Sequence, residues 1–461
     1  MSVLAIDIGS SRIKALLARW DGHVLEVRGA ATPRQSLEPG EQSYPLEAVH
    51  GAVEGLIAGL AATVPYDRVD TLVFSCLGTA MAPLDPEGRP LAPALAPADL
   101  RPQRSPWLVE ELGLDPGELA RRSGSDPAVA SFLLHALWWQ REHPSVMART
   151  HRFRSPRGYV LAGLCEADAE DRAWASRTML ADLETGTWSP QVLAAAGLSD
   201  EVLPPVAPPT TTFPLLPDAV ERLGLAPGAV AVLGAMDNGC SLFGAEGPDR
   251  SGLVNIVGTY EHMAGAGDLD GARRVAESTG AVIHAYVLPD AFIAMSRVPI
   301  GDLLARAATG ARAGLDGLLE LVPAEPVAEP IPLTREGVET ALDSGRSRSD
   351  VLAAVLASAG DVLARFAEAW GGLGRPTEPV AVVGGGARHE NVLRLKATLL
   401  GRPLAVLASD EAAALGALRL AAMAVRGASP AEARRLFDNP VTRIIEPSMT
   451  APAATEGVSA P

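Results

Sequence analysis

Cysteine is scarce in this chain, positive charge is outnumbered by negative charge, and each feature argues against a class of protein. Its 461 residues include three cysteines, Cys76, Cys165 and Cys240, which are too few and too scattered for a disulfide framework or a zinc site. Lysine occurs only at Lys14 and Lys396, and the net charge is -16 at pH 7. Because that charge would repel nucleic-acid phosphates, the composition argues against a general nucleic-acid-binding protein.

Long apolar runs are absent as well. No apolar run reaches membrane-spanning length, and the N-terminus enters a strand without a signal-like charged and apolar segment. We therefore expect a cytoplasmic protein with no membrane partner. Hydrophobic residues make up 48% of the chain and charged residues 20%, which is typical of an α/β protein with an ample core. The length predicts two or more domains with a cleft between them.

The periodicity of apolar residues predicts strands and helices along most of the chain. Residues 3–30 are predicted to form a three-strand meander. The other main predicted elements are a helix over 46–64, strands over 69–75, 230–234, 253–257 and 380–383, a helix over 349–370, and a helix from Gly384 to residue 400. The segment over 203–217 is proline-dense, which excludes a regular helix or a central strand.

The motif near the N-terminus is the most informative feature. An apolar strand carries Asp7 at its end, and a turn of small residues, Gly9, Ser10 and Ser11, follows. Gly9 lets a phosphate approach the backbone, the two serines offer donors, and Asp7 can reach a metal ion held by that phosphate. Lys14 adds a rare positive charge. The alternative is an ordinary hairpin in which Asp7 accepts hydrogen bonds from the turn amides.

A second apolar strand leads in a similar way to Asp237 and Asn238. A carboxylate at a strand end beside an interdomain cleft can accept the proton of a substrate hydroxyl, which is the general-base role in phosphoryl transfer. Asn238 is a candidate contact of that substrate. The alternative is that Asp237 caps the helix that follows it, because aspartate is a favoured N-cap residue. The local pattern leaves both interpretations open.

Two further turns place glycine after a predicted strand. Gly258 and Thr259 are candidates for a second phosphate turn, although Gly-Thr turns are common. Gly384, Gly385 and Gly386 stand between a strand and a helix, where a flat or bulky ligand can lie against bare backbone and the helix N-terminus donates amides. In isolation, a tight strand-to-helix connection with no ligand explains the three glycines better.

Asp99 and Arg101 lie in a loop that contains several prolines, and they are candidates to bind a polyol through charge-assisted hydrogen bonds. An ion pair on the protein surface explains the same two residues equally well. The eight histidines show no metal-ligand spacing, so we assign none of them to a metal.

The order of these features resembles the FGGY carbohydrate kinase family, which shares its fold with hexokinase, actin and the heat-shock ATPases. The resemblance extends from residue 3 to about residue 426. It rests on several passages spread along the chain. These passages are residues 7–14, 84–91, 174–176 through 188–189, 203–206, 223–228 leading to Asp237, 384–387 through 401–403, and 412–417.

The resemblance implies an α/β fold with two actin-like (ribonuclease H-like) domains, each a mixed five-stranded sheet flanked by helices, and a catalytic cleft between them. We expect an N-terminal domain over residues 1–245, a C-terminal domain over 246–445 and a disordered tail over 446–461. The implied activity is phosphorylation of a hydroxyl on a sugar, polyol or sugar acid, with ATP and Mg²⁺ as cofactors. The partner is then a small molecule, and the resemblance is compatible with a homodimer.

The resemblance also assigns roles to the candidate residues by position. The roles are Mg²⁺ placement by Asp7, phosphate binding by Gly9, Ser10, Ser11 and Lys14, a second phosphate loop at Gly258 and Thr259, adenosine contact by Gly384, Gly385 and Gly386, acceptor binding by Asp99, Arg101 and Asn238, and general-base catalysis by Asp237.

The sequence departs from the family pattern where the sugar would be recognised. Leu77 and Thr79 stand where members often have a Gln-x-His pattern, and Pro97 stands where a tryptophan is often found. The second phosphate turn is followed by bulkier residues than usual, among them Tyr260 and His262. These changes leave the identity of the acceptor open and predict poor activity on xylulose and glycerol.

Two other functional classes share parts of this pattern. A catalytically silent, sugar-sensing or regulatory relative would keep the fold but lose Asp7 or Asp237, and both residues are present. An actin-like or chaperone-like ATPase without a small-molecule acceptor would not need the region over 85–101. The kinase interpretation therefore accounts for more of the sequence than either alternative.

Overall fold

Two mixed β-sheets with a pair of crossed helices between them form the framework of the computed structural model of this protein. The structure describes residues 1–38, 40–64, 68–126, 131–248, 252–258, 260–323 and 329–448. Most of the predicted tail, residues 449–461, therefore lies outside the described residues. None of the helices within these ranges is both long and apolar enough to cross a membrane.

Most strands of the two large sheets contain buried apolar residues. In chain order, the strands of the described ranges are β1 (Ser2–Ile8), β2 (Arg12–Arg19), β3 (Val24–Ala31), β4 (Ser43–Tyr44), β5 (Val69–Cys76), β6 (Ala82–Leu84), β7 (Ala94–Leu95), β8 (Arg152–Arg154), β9 (Glu170–Asp171), β10 (Val206–Ala207), β11 (Thr212–Pro214), β12 (Val230–Met236), β13 (Val254–Val257), β14 (Glu261–Gly267), β15 (Val282–Ala285), β16 (Phe292–Met295), β17 (Val380–Val383), β18 (Leu404–Leu407) and β19 (Val441–Ile445).

Many helices begin at a serine, threonine or aspartate whose side chain accepts a first-turn N–H, as Ser347 and Asp268 do. In chain order, the helices of the described ranges are α1 (Leu46–Ala61), α2 (Leu100–Gln103), α3 (Trp107–Glu110), α4 (Pro116–Ser123), α5 (Phe132–Glu142), α6 (Pro144–Met147), α7 (Pro156–Cys165), α8 (Arg172–Ser176), α9 (Pro190–Ala195), α10 (Pro217–Arg222), α11 (Asp237–Ala245), α12 (Leu269–Thr279), α13 (Ile300–Ala308), α14 (Gly314–Leu319), α15 (Arg335–Asp343), α16 (Arg348–Gly371), α17 (Glu390–Leu400), α18 (Ala412–Arg426) and α19 (Pro430–Leu436).

The first sheet has the strand order β11-β12-β5-β1-β2-β3. β5 pairs in parallel with β1 on one side and with β12 on the other, and the remaining pairs are antiparallel. The predicted meander over residues 3–30 is confirmed as β1, β2 and β3. The proline-dense segment contributes the short edge strand β11 to this sheet, as expected for a strand that ends in proline, and it also contains β10, which pairs with β9 in a separate two-stranded sheet.

The second sheet has the strand order β15-β16-β14-β13-β17-β18-β19, in which β13, β17 and β18 are parallel neighbours. The expectation of two mixed sheets flanked by helices is confirmed, but the expectation of five strands in each is wrong. The sheets have six and seven strands. Short antiparallel strands at the sheet edges, β11 in the first and β19 in the second among them, account for the difference.

Among the described residues, three clusters of the hydrophobic core follow the two sheets, and a fourth surrounds α5. Helices α1 and α7 pack on the outer face of the first sheet, and α12, α13 and α16 form the layer outside the second. The inner layer contains α11 and α18 together with apolar residues from both sheets. α18 packs against β1 and β5, whereas α11 also contacts β13, β14 and β17. This inner layer therefore joins the two halves of the chain.

The two helices of the inner layer cross at a very short distance. A Cβ atom added at Gly416 would lie 2.7 Å from the carbonyl carbon of Cys240, and one at Gly244 would lie 2.8 Å from the backbone nitrogen of Gly416. Both contacts are with backbone atoms, which cannot move aside as a flexible side chain can. The crossing therefore requires glycine on both helices.

The predicted domain boundary at residues 245 and 246 falls where α11 ends. Helix α18 belongs to the C-terminal half by sequence but packs on the first sheet. The division into residues 1–245 and 246–445 follows the order of the two sheets along the chain. That the two segments are separate domains stays a prediction.

Replacing Gly416 by alanine should destabilise the protein by about 1–3 kcal/mol, because the new methyl group forces the two helix backbones apart. The matched control is Gly55→Ala on α1, where a Cβ would meet no atom within 4 Å. There alanine should stabilise by about 0.5–1 kcal/mol, since it reduces the freedom of the unfolded chain. Thermal melting of the two variants compares these effects, and equal shifts would contradict the proposed role of the crossing.

Candidate active site

Three parallel strands of the first sheet end side by side near most of the candidate polar residues. The pairing registers of β1, β5 and β12 place Ile8, Cys76 and Met236 in one row. The residues that follow each strand therefore emerge at the same carboxyl edge, which is where ligands bind in open α/β sheets. This edge brings Asp7 and Asp237 together, and the charge of Asp7 acts on the carboxyl group of Asp237.

Asp7 is half-buried and accepts a hydrogen bond from the Ser75 hydroxyl, with 2.8 Å between the two oxygens. Burial raises the pKa of Asp7, and the Glu411 carboxylate adds to that rise. The Ser75 hydroxyl and the Lys14 ammonium oppose it. Lys14 Nζ lies 2.7 Å from a carboxylate oxygen of Glu411, so this lysine already has an anionic partner. Phosphate binding by Lys14 stays a prediction.

Asp237 is the first residue of α11 and is half-buried. Burial raises the pKa of its carboxyl group to about 7, and Asp7 contributes to the rise. The N–H of Asn238 donates to Asp237 Oδ1 at 2.7 Å and, together with the Arg177 guanidinium, limits the rise. A carboxyl group with a pKa near neutrality and partial access to solvent is suited to accept and release a proton.

Helix capping does not account for this carboxylate. Met236 occupies the N-cap position of α11, and this N-terminus has no side-chain cap hydrogen bond. A capping aspartate would stand one residue earlier and accept the N–H of the second or third helical residue. Asp237 instead accepts the N–H of its immediate neighbour, so the capping interpretation is wrong and the general-base role stays a prediction.

The turn after β1 is tight and open to solvent. The Gly9 N–H donates to the Arg12 carbonyl at 3.1 Å, and the Thr32 hydroxyl donates to the Gly9 carbonyl at 2.7 Å. A Cβ at Gly9 would lie 2.8 Å from the Arg12 carbonyl oxygen, so the turn requires glycine. Ser10 and Ser11 are exposed at its tip. Their hydroxyls are therefore accessible to a ligand at this edge.

Two glycine-containing turns of the second sheet lie against each other. β13 and β17 are parallel, so Gly258 and Gly384 follow their strands at the same edge. Gly384 has a φ of +94°, and a Cβ there would clash with the Val257 carbonyl oxygen. Gly258 is exposed, and its N–H donates to the Tyr260 carbonyl at 3.1 Å. Thr259, the other residue of the predicted phosphate turn, lies outside the described residues.

The segment after Gly384 is not the continuous helix expected from the sequence. Gly385–Arg388 forms a 3-10 turn that precedes α17. His389, between the turn and α17, has an extended backbone (φ −90°, ψ 104°), and this residue breaks the helix. Gly386 approaches the Val257 side chain, whereas a Cβ at Gly385 would meet no described atom within 4 Å. Gly385 therefore presents bare backbone to open space, where a flat ring can lie.

Asp99 and Arg101 form an ion pair, but its aspartate is buried rather than on the surface. The fully buried Asp99 carboxylate accepts the Gln42 N–H at 2.9 Å and Arg101 Nη2 at 2.8 Å. The Arg101 side chain is 30% exposed and also lies 3.3 Å from Glu41. Its guanidinium carbon is 5.4 Å from the centroid of the Trp138 ring. Protein donors thus occupy Asp99, and Arg101 is the member of the pair that a ligand can reach.

Tyr44 connects this region with the carboxyl edge of the first sheet. It lies two residues after Gln42 and is 2% exposed. Burial raises the pKa of its hydroxyl to about 12, and the Asp237 carboxylate contributes to the rise. The Tyr44 hydroxyl therefore lies near the proposed base, and Asn238 is half-buried beside that base.

A buried ion-pair network supports the loop that follows β5. Arg157 is fully buried, and its Nη2 lies 2.7 Å from Asp171, with Glu170 as a second partner. Asp171 also caps α8 by accepting two first-turn N–H groups, one of them from Trp174. The Trp174 indole N–H donates to the Leu77 carbonyl at 3.0 Å. The network thus fixes Leu77, the residue that follows β5 at the carboxyl edge.

Sequence reasoning missed several residues of this cleft. Ser75, Tyr44, Glu411 and Arg177 carry no local motif of their own, and the fold brings them to the edge from four distant parts of the chain. Arg177 had one usable signal, because it directly follows the passage over 174–176 that matches the family pattern. The others become visible only in the folded chain.

The residues at this edge fit Mg²⁺ bound together with a phosphate ligand. Among the described residues, no group of three or more His, Cys, Asp or Glu side chains is placed to hold a metal ion. Mg²⁺ usually takes one or two carboxylates and keeps water and substrate phosphate as its other ligands. Burial and a neighbouring negative charge raise the pKa of Asp7, so a bound cation would stabilise its charged form.

Comparison with known proteins identifies relatives along most of the chain. A model of the N-terminal domain of the FGGY family of carbohydrate kinases matches residues 2–244, and a model of the C-terminal domain matches residues 299–425. A gluconokinase from Bacillus licheniformis is 24% identical over 260 residues, which cover 56% of this chain and 50% of the relative. A xylulose kinase from Streptomyces rubiginosus is 29% identical over 393 residues, which cover 79% of this chain and 76% of the relative.

The length of the match differs among the relatives. The aligned chain spans about half the length of the gluconokinase and of a xylulose kinase from Lactococcus lactis. The solved structure of a gluconate kinase from Lactobacillus acidophilus superimposes with a TM-score of 0.82 at 16% identity, covering 97% of this chain and 94% of that one. This likeness shows a shared fold over almost the whole of both chains.

Proposed function

The chain belongs to the FGGY family of carbohydrate kinases, and from that premise we propose that it transfers the γ-phosphoryl group of ATP to a hydroxyl of a sugar, polyol or sugar acid. The observation that carries the proposal is the position of Asp237. It stands at the carboxyl edge of the first sheet, half-buried, with its pKa raised to about 7 by burial. These are the properties of a general base that works near neutral pH.

In the proposed reaction, Asp237 accepts the proton of the acceptor hydroxyl as the hydroxyl oxygen bonds to the γ-phosphorus. The bond between that phosphorus and the bridging oxygen of ADP breaks, and ADP leaves with its electron pair. A sugar hydroxyl is a weak nucleophile, so removal of its proton during attack lowers the barrier. The products are ADP and a phosphate ester of the acceptor.

The two halves of the chain supply different parts of the proposed site. On the first sheet, Ser10 and Ser11 would bind phosphate oxygens, and Asp7 would hold Mg²⁺. The metal ion would neutralise charge on the phosphates. On the second sheet, the loop from Gly384 would contact the adenosine, and Gly258 with its neighbour Thr259 would border the phosphates.

The acceptor would lie beside Asp237, with Asn238 and Arg101 as its proposed contacts and Asp99 as a supporting residue. Because protein donors already occupy Asp99, its role would be to orient Arg101 rather than to bind the acceptor directly.

We also propose a cytoplasmic location, a small-molecule acceptor and no nucleic-acid partner, and a homodimer stays a prediction. Closure of the cleft would align the hydroxyl with the phosphate and exclude water.

The Asp237→Asn variant tests the proposed base. Asparagine keeps the size of the side chain and still positions the hydroxyl, but it cannot accept the proton. We expect kcat to fall by about 10²–10⁴-fold, the usual scale for losing a general base. KM for ATP should change little, because the proposed metal and phosphate contacts lie elsewhere. A steady-state assay of ADP release measures both constants, and near-normal turnover would contradict the mechanism.

Two further variants accompany that measurement, one as a control and one as a test of the proposed metal site. Asp218→Asn removes a carboxylate that is 75% exposed on α10 and should leave turnover unchanged. Asp7→Ala should weaken the use of Mg²⁺–ATP with every acceptor alike.

Loss of stability should not account for the effect of Asp237→Asn. Above about pH 7 the Asp237 carboxylate of the wild type carries a partly buried charge, which is unfavourable in the folded protein. Asparagine lacks this charge, so the variant should not unfold at alkaline pH.

The raised pKa of Asp237 also predicts the pH dependence of catalysis. The carboxyl group must be ionised to act as a base, and below its pKa most molecules are protonated. We therefore expect kcat/KM for the acceptor to fall by about tenfold for each pH unit below neutrality and to level off above it. The charged groups that act on Asp237 are Asp7 and Arg177. A flat profile of kcat/KM across this range would contradict the assignment.

A further inference from the structure

A buried ion pair lies behind the two glycine-containing turns of the second sheet. Lys396 Nζ lies 2.5 Å from Glu261 Oε1, and the two side chains are 2% and 0% exposed. Lys396 is one of only two lysines in the chain. Among the ion pairs of the described residues, only those of Arg157 with Glu170 and Asp171 are buried as completely.

The surroundings of the pair are apolar. Glu261 lies two residues before Met263 on β14, so both side chains point to the same face of the sheet. Met263 belongs to the hydrophobic cluster outside the second sheet, together with Leu393 and Leu400, which lie about one helical turn on either side of Lys396. Removing two charges from water is costly, and their attraction often does no more than offset that cost.

The pair is also incompletely satisfied. The second carboxylate oxygen of Glu261, Oε2, is buried and has no hydrogen-bond partner among the described residues. A buried acceptor without a donor is unfavourable. An apolar pair of similar volume at these two positions would avoid both costs. Stability alone therefore does not account for the ion pair.

The backbone of Glu261 holds the base of the proposed phosphate turn. Glu261 is the first residue of β14 and pairs with Val257, the last residue of β13. The turn between them is closed by the Gly258 N–H, which donates to the Tyr260 carbonyl at 3.1 Å. On its other side, the Glu261 N–H donates to the Val298 carbonyl at 2.8 Å. A displacement of Glu261 would therefore displace the turn.

Lys396 belongs to the helix that follows the proposed adenosine loop. α17 comes directly after the segment that begins with Gly384, and this segment packs on Val257. A Cβ at Gly384 would clash with the Val257 carbonyl, and one at Gly386 with the Val257 side chain. Val257 thus contacts the glycine loop and also pairs with Glu261. The ion pair completes a closed ring of contacts that joins the phosphate turn to the adenosine loop.

We propose that Glu261 and Lys396 are positioning residues of the nucleotide site, whose ion pair fixes the phosphate turn relative to the glycine loop. This inference rests on the proposed kinase function and adds two residues that are too deeply buried to touch the nucleotide. Either charge without its partner in the apolar layer is strongly unfavourable, so the pair keeps the two elements aligned. Contacts that are ordered before binding reduce the entropy lost when a ligand binds.

The first test measures binding of ADP with Mg²⁺, which needs no acceptor. Isothermal titration calorimetry compares the wild type with the double variant Glu261→Leu, Lys396→Met. This variant leaves no unpaired charge, so its melting temperature should stay the same or rise. Its Kd for ADP should nevertheless rise by about 3- to 30-fold, the scale of one or two misplaced hydrogen bonds. Wild-type affinity in the double variant would overturn the inference.

Single variants and a matched control separate positioning from stability. Lys396→Met and Glu261→Gln each leave one buried group without its partner, so both should lower the melting temperature and the affinity for ADP. The control is Val338→Ala on α15, which removes fully buried methyl groups from the same hydrophobic cluster. It should lower the melting temperature and leave the affinity unchanged. An affinity loss in this control as large as that of the double variant would show that general loosening of the cluster weakens binding, and the inference would be wrong.

The outcomes separate this inference from the function on which it rests. If the wild type binds ADP and the double variant binds it equally well, the proposed kinase function is untouched and the inference fails. If the wild type binds neither ADP nor ATP in the presence of Mg²⁺, the proposed function itself fails. Weaker binding in the double variant at an unchanged melting temperature, with normal binding in Val338→Ala, is the result that supports the inference.

Discussion

The close crossing of α11 and α18 is the constraint on which the rest of the structure depends. Gly244 and Gly416 let the two helix backbones touch, so one helix from each half of the chain fits in the layer between the sheets. α11 begins directly after β12. The crossing that joins the two halves therefore also fixes Asp237 at the carboxyl edge of the first sheet. Helix α11 therefore contributes both to the packing between the two halves and to the position of the proposed base.

The cleft that results brings like charges near one another. The negative charge of Asp7 helps to raise the pKa of Asp237, and on the other side Arg177 and Arg297 repel each other. Like charges in poorly solvated surroundings are unfavourable unless a ligand of opposite charge is present. The proposed Mg²⁺ would supply the opposite charge beside Asp7. The like charges would then lower the stability of the free protein and favour the binding of a ligand of opposite charge.

Local sequence patterns predicted the strand ends and their turns because each pattern is complete within about ten residues. This holds for β1 with Asp7, for β12 leading to Asp237 and for β17 leading to Gly384, and the family and fold predicted from their order are confirmed. Contacts between distant residues were not predictable in this way. The ion pair of Lys14 with Glu411 joins residues almost the whole chain apart, and no local pattern indicates it. Short edge strands such as β11 and β19 were also not predicted, because a few mostly exposed residues carry little periodicity.

The central claim is that this cleft transfers a phosphoryl group to a bound hydroxyl. It is tested most directly by ³¹P NMR of the protein with ATP and Mg²⁺, recorded with and without a panel of sugars, polyols and sugar acids. The account predicts a new phosphate-ester signal and ADP in equal amounts, only when an accepted molecule is present. Inorganic phosphate and ADP formed at the same rate without any acceptor, or no turnover with the whole panel, would contradict it.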